Sequence, residues 1–422
     1  MLQHVCIALA ILAVSAPILA FARGEGDARA IAGASNAFGC RLYAQLDQQP
    51  GNLLISPHSI HAALSMTLLG ARGQTADQMA ATLDLFHHVL SGAVDHLESA
   101  DPGMALDYKI LLSGTPTMPG LSPPAAKEKK APYDLISVNA LWGQKGYAFL
   151  PTYLADAKDT FGGSLHEVDF ADAPVACKTI NTWVEDQTHD KIKELVTPQA
   201  VGRDTRLVLT NAVYFKSAWA NPFSKAATRD DPFTLASGQK VQVPTMHQTN
   251  YFAYTQGGDC SAIGLPYERG DLSLWILLPA SGKDLAELEK TLTPGRLDSL
   301  IKEARSRRIN LAMPRFKFTA QYDLVPPLKA LGMTDAFNAE RADFSGIDGA
   351  KDLVISAVIH KTFIDVDEAG TEAAAATAVG MSRMSMMPQP PLEVKIDRPF
   401  GFLIRHRATG TILFLGRVTD PR

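Results

Sequence analysis

Apolar side chains recur at three- and four-residue intervals near the start of the chain. Ile31, Ala34, Phe38, Leu42 and Leu46 share one helical face, and Gln48-Gln49-Pro50-Gly51 follows as a stop signal, so the spacing predicts an amphipathic helix over 31–46. Ser56-Pro57 then places a helix-capping residue before a proline suited to the first turn, and the run from His61 to Leu69 carries that helix to Gly70. A further helix is expected from 82 to about 97, with later ones over 178–188 and 322–331. Between these lie strand-like apolar runs at 135–142, 207–215, 272–278, 308–312, 353–366 and 413–418. The two kinds of element are interspersed without a regular βαβ repeat, which predicts an α+β fold. No internal repeat is visible.

Two segments break the pattern. Residues 5–19 are apolar and lead to Ala20-Phe21-Ala22, a small-x-small cleavage pattern, so 1–22 reads as an export signal even though its first residues lack Lys or Arg. The remaining chain, 23–422, is then expected to be one secreted domain, extracellular or periplasmic, with no membrane contact after cleavage. Residues 101–133 hold Pro102, Pro116, Pro119, Pro123, Pro124 and Pro132 beside a Lys127-Glu128-Lys129-Lys130 cluster, which predicts a surface insertion without a packed element.

Composition narrows the function. With 422 residues, 46% of them hydrophobic and 20% charged, the chain can bury a large core. Formal charge is −4 and no basic run exceeds a pair such as Arg307-Arg308, which argues against nucleic acid as the main partner. Apart from Cys6 in the leader, Cys40, Cys177 and Cys260 are odd in number and widely spaced, so small buried thiols are expected rather than a disulfide framework or a zinc site. There is no G-x-S-x-G elbow, H-E-x-x-H pair, phosphate loop or C-x-x-C, and an enzyme reading therefore lacks a site. No cofactor or metal is expected; His87, His88 and His96 read as a solvated helix face.

One stretch contradicts itself. After the apolar run ending at Val366 come Asp367-Glu368-Ala369-Gly370-Thr371-Glu372-Ala373-Ala374-Ala375-Ala376-Thr377-Ala378-Val379-Gly380, then a methionine- and proline-rich segment to Pro391. The alanines favour helix, yet glycines and prolines bracket them, and so long a stretch without a core face reads as a functional loop. At a period of two, one face carries Thr371, Ala373, Ala375, Thr377 and Val379, and the other Glu372, Ala374, Ala376, Ala378 and Gly380. Such a narrow strip can enter a packed sheet where bulkier side chains would cost about 1–3 kcal/mol each.

The run from Glu368 to Thr377 resembles the hinge of the serpin family, E-x-G-T-E-A-A-A-A-T. Further blocks resemble that family in order: Asn52 to Ser59, Ile180 to Val184, Thr210 to Trp219, Met313 to Phe316, Ala342 to Ile347, His360-Lys361, Asp397 to Phe400 and Phe414 to Val418. The resemblance implies three β-sheets with a large mixed central one, about nine helices and an exposed reactive loop, here 367–396. It also implies a monomeric suicide substrate of serine proteases, held in a covalent acyl-enzyme complex while the cut loop becomes a strand of the central sheet. In the family the hinge glycine stands fourteen residues before the attacked carbonyl, and Gly370 then points to Met384-Ser385. A Met suits an elastase-like or chymotrypsin-like pocket. Arg383-Met384, one residue shorter, is the alternative and would suit trypsin-like enzymes. Ser56, Ser59, Asn211 and His360 match the family's shutter, and Trp219 a tryptophan at the breach where the sheet opens. Two other readings stay open: a non-inhibitory carrier, against which the uncharged Thr371, Ala373 and Ala375 argue, and Cu(I) held by Met381, Met384, Met386 and Met387.

Overall fold

The computed structural model describes residues 25–85, 133–161, 164–371 and 390–422. The first amphipathic pattern forms α1 (Glu25–Leu46), which starts earlier than its apolar spacing required. A short β1 (Leu53–Ile55) leads to α2 (Pro57–Leu68), where Pro57 occupies the first turn as expected; Ser56 is extended but its hydroxyl makes no capping bond. Every residue from Pro57 to Thr67 is buried, so α2 is a core helix rather than an amphipathic one. Of the helix expected over 82–97 only the first four residues are described, and 86–97 lie outside the described residues. The observed α3 (Gly73–Thr82) ends where that one was to begin, and Asp84, at φ 60°, turns the chain out of helical geometry. Residues 86–132 lie outside the described residues, and with them most of the 101–133 insertion; Tyr133 itself opens β2 (Tyr133–Gln144).

The chain continues through α4 (Pro151–Phe161), β3 (Ser164–Val168), α5 (Ala173–Gln187) and β4 (Leu207–Ala218). Then come β5 (Arg229–Thr234), β6 (Lys240–Gln256), β7 (Cys260–Pro266) and β8 (Leu272–Pro279), followed by α6 (Leu285–Glu289) and α7 (Pro294–Glu303). The last third holds β9 (Arg305–Pro314), β10 (Phe316–Asp323), α8 (Val325–Ala330), α9 (Ser345–Asp348), β11 (Ile355–Val366) and β12 (Gly370–Thr371). It ends with β13 (Leu392–Lys395), β14 (Phe400–His406) and β15 (Ile412–Val418). Tyr322, expected to open a helix, instead closes β10.

Among the described residues the strands form two sheets. The six-stranded central sheet runs β10-β11-β12-β4-β2-β3 and is mixed, with β11 and β4 parallel and most other pairs antiparallel. The other nine form one sheet, because β6 is long enough to pair β5 along 240–245, β9 along 245–254 and β7 along 253–256. The two smaller sheets expected from the resemblance are thus joined through one strand, and nine helices among the described residues surround them. A main core lies between the sheets and α1 and α2. A second, separate apolar cluster packs α5 and residues 192–201 onto the other face of the central sheet, against Trp142, Val208, Ala212, Ala357 and Ile359.

Cys40, Cys177 and Cys260 are buried and unbonded to one another, and burial pushes the Cys40 thiol up to about 12. Among the described residues no helix is long and apolar enough to cross a membrane, and no cluster of three or more His, Cys, Asp or Glu stands ready for a metal.

Candidate functional site: a parted pair of strands and its hinge

β11 and β4 run side by side in parallel from Ile355 opposite Leu207 to Phe363 opposite Tyr214. Beyond that row they separate. The gap is filled by β12, which turns back from the end of β11 and lies antiparallel to both neighbours, Thr371 facing Val366 on one side and Ser217 on the other. The reversal is built from side chains of the hinge itself. Asp367 Oδ1 accepts from the backbone N–H of Ala369 at 2.8 Å and of Gly370 at 3.2 Å, while Asp367 N–H donates to Gly370 O at 2.9 Å. Gly370 is needed here for want of space, since a Cβ would sit 2.1 Å from Ser217 O.

The turn is anchored at every residue. Trp219 Nε1–H donates to Asp367 O at 2.9 Å, its backbone N–H to Ala369 O at 3.0 Å, and Phe223 N–H to Glu368 O at 2.8 Å. The Glu368 side chain is buried and accepts from the Thr228 hydroxyl at 2.7 Å, with Arg315 at 3.9 Å. Burial would raise that carboxyl, but the Thr228 hydrogen bond and the nearby cations outweigh it and hold it below the usual range. Trp219 stacks on Tyr267 with ring centroids 4.7 Å apart, and the Tyr267 hydroxyl lies 2.8 Å from Thr371 Oγ1. Thr371 is fully buried.

Below the gap, where β11 and β4 pair directly, a polar row crosses four strands. Tyr322 of β10 stands opposite His360 of β11, His360 opposite Asn211 of β4, and Asn211 opposite Asn139 of β2. Asn211 is the hub: its Oδ1 accepts from His360 Nδ1, and its Nδ2 donates to Asn139 Oδ1 and Ser59 Oγ. Ser59 Oγ continues to Ser137 Oγ at 2.6 Å. His360 Nε2 accepts from the backbone N–H of Ser56 at 3.1 Å, at the start of α2. One ring nitrogen must donate and the other accept, which requires the neutral Nδ1–H tautomer. Burial, pushing the imidazole down to about 3, favours the same state.

The structure therefore brings Ser59, Asn211 and His360 into one network by their side chains, and Ser56 through its backbone. It brings Glu368, Gly370, Thr371 and Trp219 together at the head of the gap. Glu372, Ala373, Ala374, Ala375, Ala376, Thr377, Arg383, Met384 and Ser385 lie outside the described residues, as do the four methionines of the Cu(I) reading. Sequence reasoning missed Ser137, Asn139, Asp367, Thr228 and Tyr267. For the first two a signal existed, because Ser137 and Asn139 put polar groups at a spacing of two inside an apolar strand.

A model of the serpin (serine protease inhibitor) family matches residues 33–421. The chain belongs to the serpin family. It is 38% identical over 402 residues to the human leukocyte elastase inhibitor, covering 93% of this chain and 99% of that one. To a serpin-like protein of the archaeon Thermococcus kodakarensis it is 39% identical over 400 residues, covering 94% and 87%. Among solved structures, Serpin48 of the insect Tenebrio molitor superposes with a TM-score of 0.77 at 33% identity, covering 93% of this serpin and 98% of Serpin48. The serpin is an inhibitor rather than a protease. Its relatives also correct the expectation of export: a leukocyte elastase inhibitor and an archaeal serpin-like protein point to a protein that is not secreted. The physical weakness of the export reading is its uncharged n-region, since an apolar stretch without Lys or Arg before it is an incomplete signal.

Proposed function

We propose that this serpin inhibits a serine protease of elastase-like or chymotrypsin-like specificity as a suicide substrate, acting as one monomeric domain over 23–422. The observation that carries the reading is β12: the first two residues of the bait segment already sit between β11 and β4, above a row where those strands touch directly. The protease serine hydroxyl attacks the Met384 carbonyl, an acyl ester forms, and the nitrogen of Ser385 departs as an amine. Released from its distal attachment, the segment from Glu372 onward extends β12 downward between the two strands. Each step replaces a parallel β11–β4 contact by two antiparallel ones, and small side chains on both faces keep overpacking low.

At the polar row, insertion must carry His360 and Asn211 from neighbouring strands, about 4.8 Å apart, to next-but-one positions about 9.6 Å apart. The network that includes Ser56, Ser59, Asn211 and His360 acts as the lock on that step, and Trp219 with Tyr267 frames its entrance. The elastase inhibitors among the relatives support the elastase-like target.

Brief incubation with elastase-, chymotrypsin- and trypsin-type enzymes tests the proposal on denaturing gels, with the cut located by mass spectrometry. A denaturant-resistant complex and cleavage after Met384 are expected. Cleavage after Arg383 alone would move the reactive bond to Arg383-Met384 and the target to trypsin-like enzymes. Proteolysis without any complex would reject inhibition and leave a carrier.

A further inference from the structure

We propose that the free, arginine-lined edge of β9, with Tyr251 beside it, is a docking surface for an acidic patch on the target protease. The inference rests on the inhibitor reading above and names a second contact for the same partner.

β9 is paired along its whole length by β6 on one side, but β13 covers only Ile309 to Ala312 on the other. Arg305, Ser306, Arg307 and Arg308 therefore form a sheet edge without a strand neighbour among the described residues, and all four are exposed. Charges commonly guard such edges against unwanted pairing. Here three arginines stand in four positions, next to Lys302 in the last turn of α7, on a chain whose net charge is −4. Arg305 donates only to the backbone oxygens of Lys302 and Ala304, and among the described residues no carboxylate pairs with Arg305, Arg307 or Arg308. Opposite Arg308 on β6 stands Tyr251, 66% exposed and the most exposed large apolar side chain among those described. Arginine and tyrosine are the residue types that dominate protein interfaces. Forked guanidinium donors fit carboxylates in particular.

Position selects the protease as the occupant. The bait segment enters the sheet at Leu392, paired in parallel with Ile309, so the residues before Leu392 approach from the Arg308 side. Met384 is eight residues upstream of Leu392, at most about 29 Å along an extended chain. A protease domain of about 230 residues has a radius of gyration of about 17 Å, so an enzyme held at Met384 can reach this edge. Exposed charge of this kind acts mainly on the encounter, raising the association rate and making it salt-dependent.

The test measures association rate constants of the full chain, at low and high salt, with two serine proteases of the same primary specificity, one acidic and one basic on its surface. A variant carrying R305A, R307A and R308A is expected to associate at least tenfold more slowly with the acidic enzyme and to lose most of the salt dependence. Its stoichiometry of inhibition and covalent complex should be unchanged. Tyr251→Ala alone should give a smaller loss with the salt dependence retained. Non-covalent binding to the acidic enzyme with its catalytic serine replaced by alanine reads docking even where no trapped complex forms, so this inference and the inhibitor reading fail separately. Unchanged rates and unchanged binding in the triple variant would overturn the proposal. So would loss of retention on a sulfated polysaccharide with protease association unaffected, which would assign the edge to a polyanion.

Discussion

His360 shows how much a single side chain holds. Its two ring nitrogens have opposite duties, accepting from Ser56 N–H and donating to Asn211 Oδ1, and only the neutral ring performs both. Two more buried imidazoles lie on α2: burial pushes His58 down to about 4 and His61 to about 3, the latter with its Nε2 2.8 Å from Leu83 O. In the unfolded chain all three titrate near 6.5. Because their folded values are depressed, the unfolded state binds more protons between those limits. Their contribution to stability is therefore complete above about pH 6.5 and is lost as pH falls towards 4 and then 3. Glu289 acts with the opposite sign, its carboxyl raised by burial despite Arg417 and Tyr43, and softens the loss. The melting temperature is expected to fall steadily between pH 6.5 and 4.5, and less so in His360→Ala. A flat profile over that window would contradict a neutral histidine cluster. The position of His360 was legible only through family resemblance. Its partners Ser56 and Asn211 came with the same resemblance, whereas Asn139 and Ser137, farther along the network, did not, because they come from a strand remote in sequence that meets it only through sheet register.

At the scale of elements, the decisive piece is the shortest strand. β12 holds two residues, and periodicity cannot reveal a strand of that length, whereas the runs at 207–215 and 353–366 that flank it were plain from their apolar continuity. The longest strand, β6, was also not expected: its burial alternates regularly only at its start and it pairs with three strands along its length, so no single period runs through it. What the sequence did carry at the hinge was size. Thr371 is wholly buried between Val366 and Ser217 with its hydroxyl on Tyr267, a site with no room or counter-charge for a cation. Thr371→Arg should expel β12, because burying an unpaired charge costs several kcal/mol. Cleavage of the bait should then outrun insertion, so that protease cuts the variant at an undiminished rate and escapes, and the stoichiometry of inhibition rises severalfold. A Thr371→Arg variant that still traps protease one to one would show that insertion does not begin at this position.

Over the whole molecule, the proposed trapping requires free energy stored in the uncut fold. The central sheet keeps β11 and β4 apart at one end, where β12 lies between them, while at the other end they are closed by direct pairing and by the His360–Asn211 bridge. On the proposed mechanism the cut bait adds ladder positions below β12, so the uncut arrangement persists because a barrier separates it from the inserted one. α5 packs across Val208, Ala212 and Ala357 on β4 and β11, the two strands that insertion would have to part, and on the proposed mechanism this packing would add to that barrier. If so, cutting the bait without trapping a protease should convert the serpin to a more stable form, and the gain should appear as heat resistance. For a chain of this length unfolding entropy gives roughly 1 °C per kcal/mol, so a gain of about 10 kcal/mol is a rise of about 10 °C. Digestion by a protease that nicks only within 372–389, followed by calorimetry of cut and uncut chains, should give a rise of at least that size. A melting temperature unmoved by the nick would mean that no strand had entered, and inhibition would then have no force behind it.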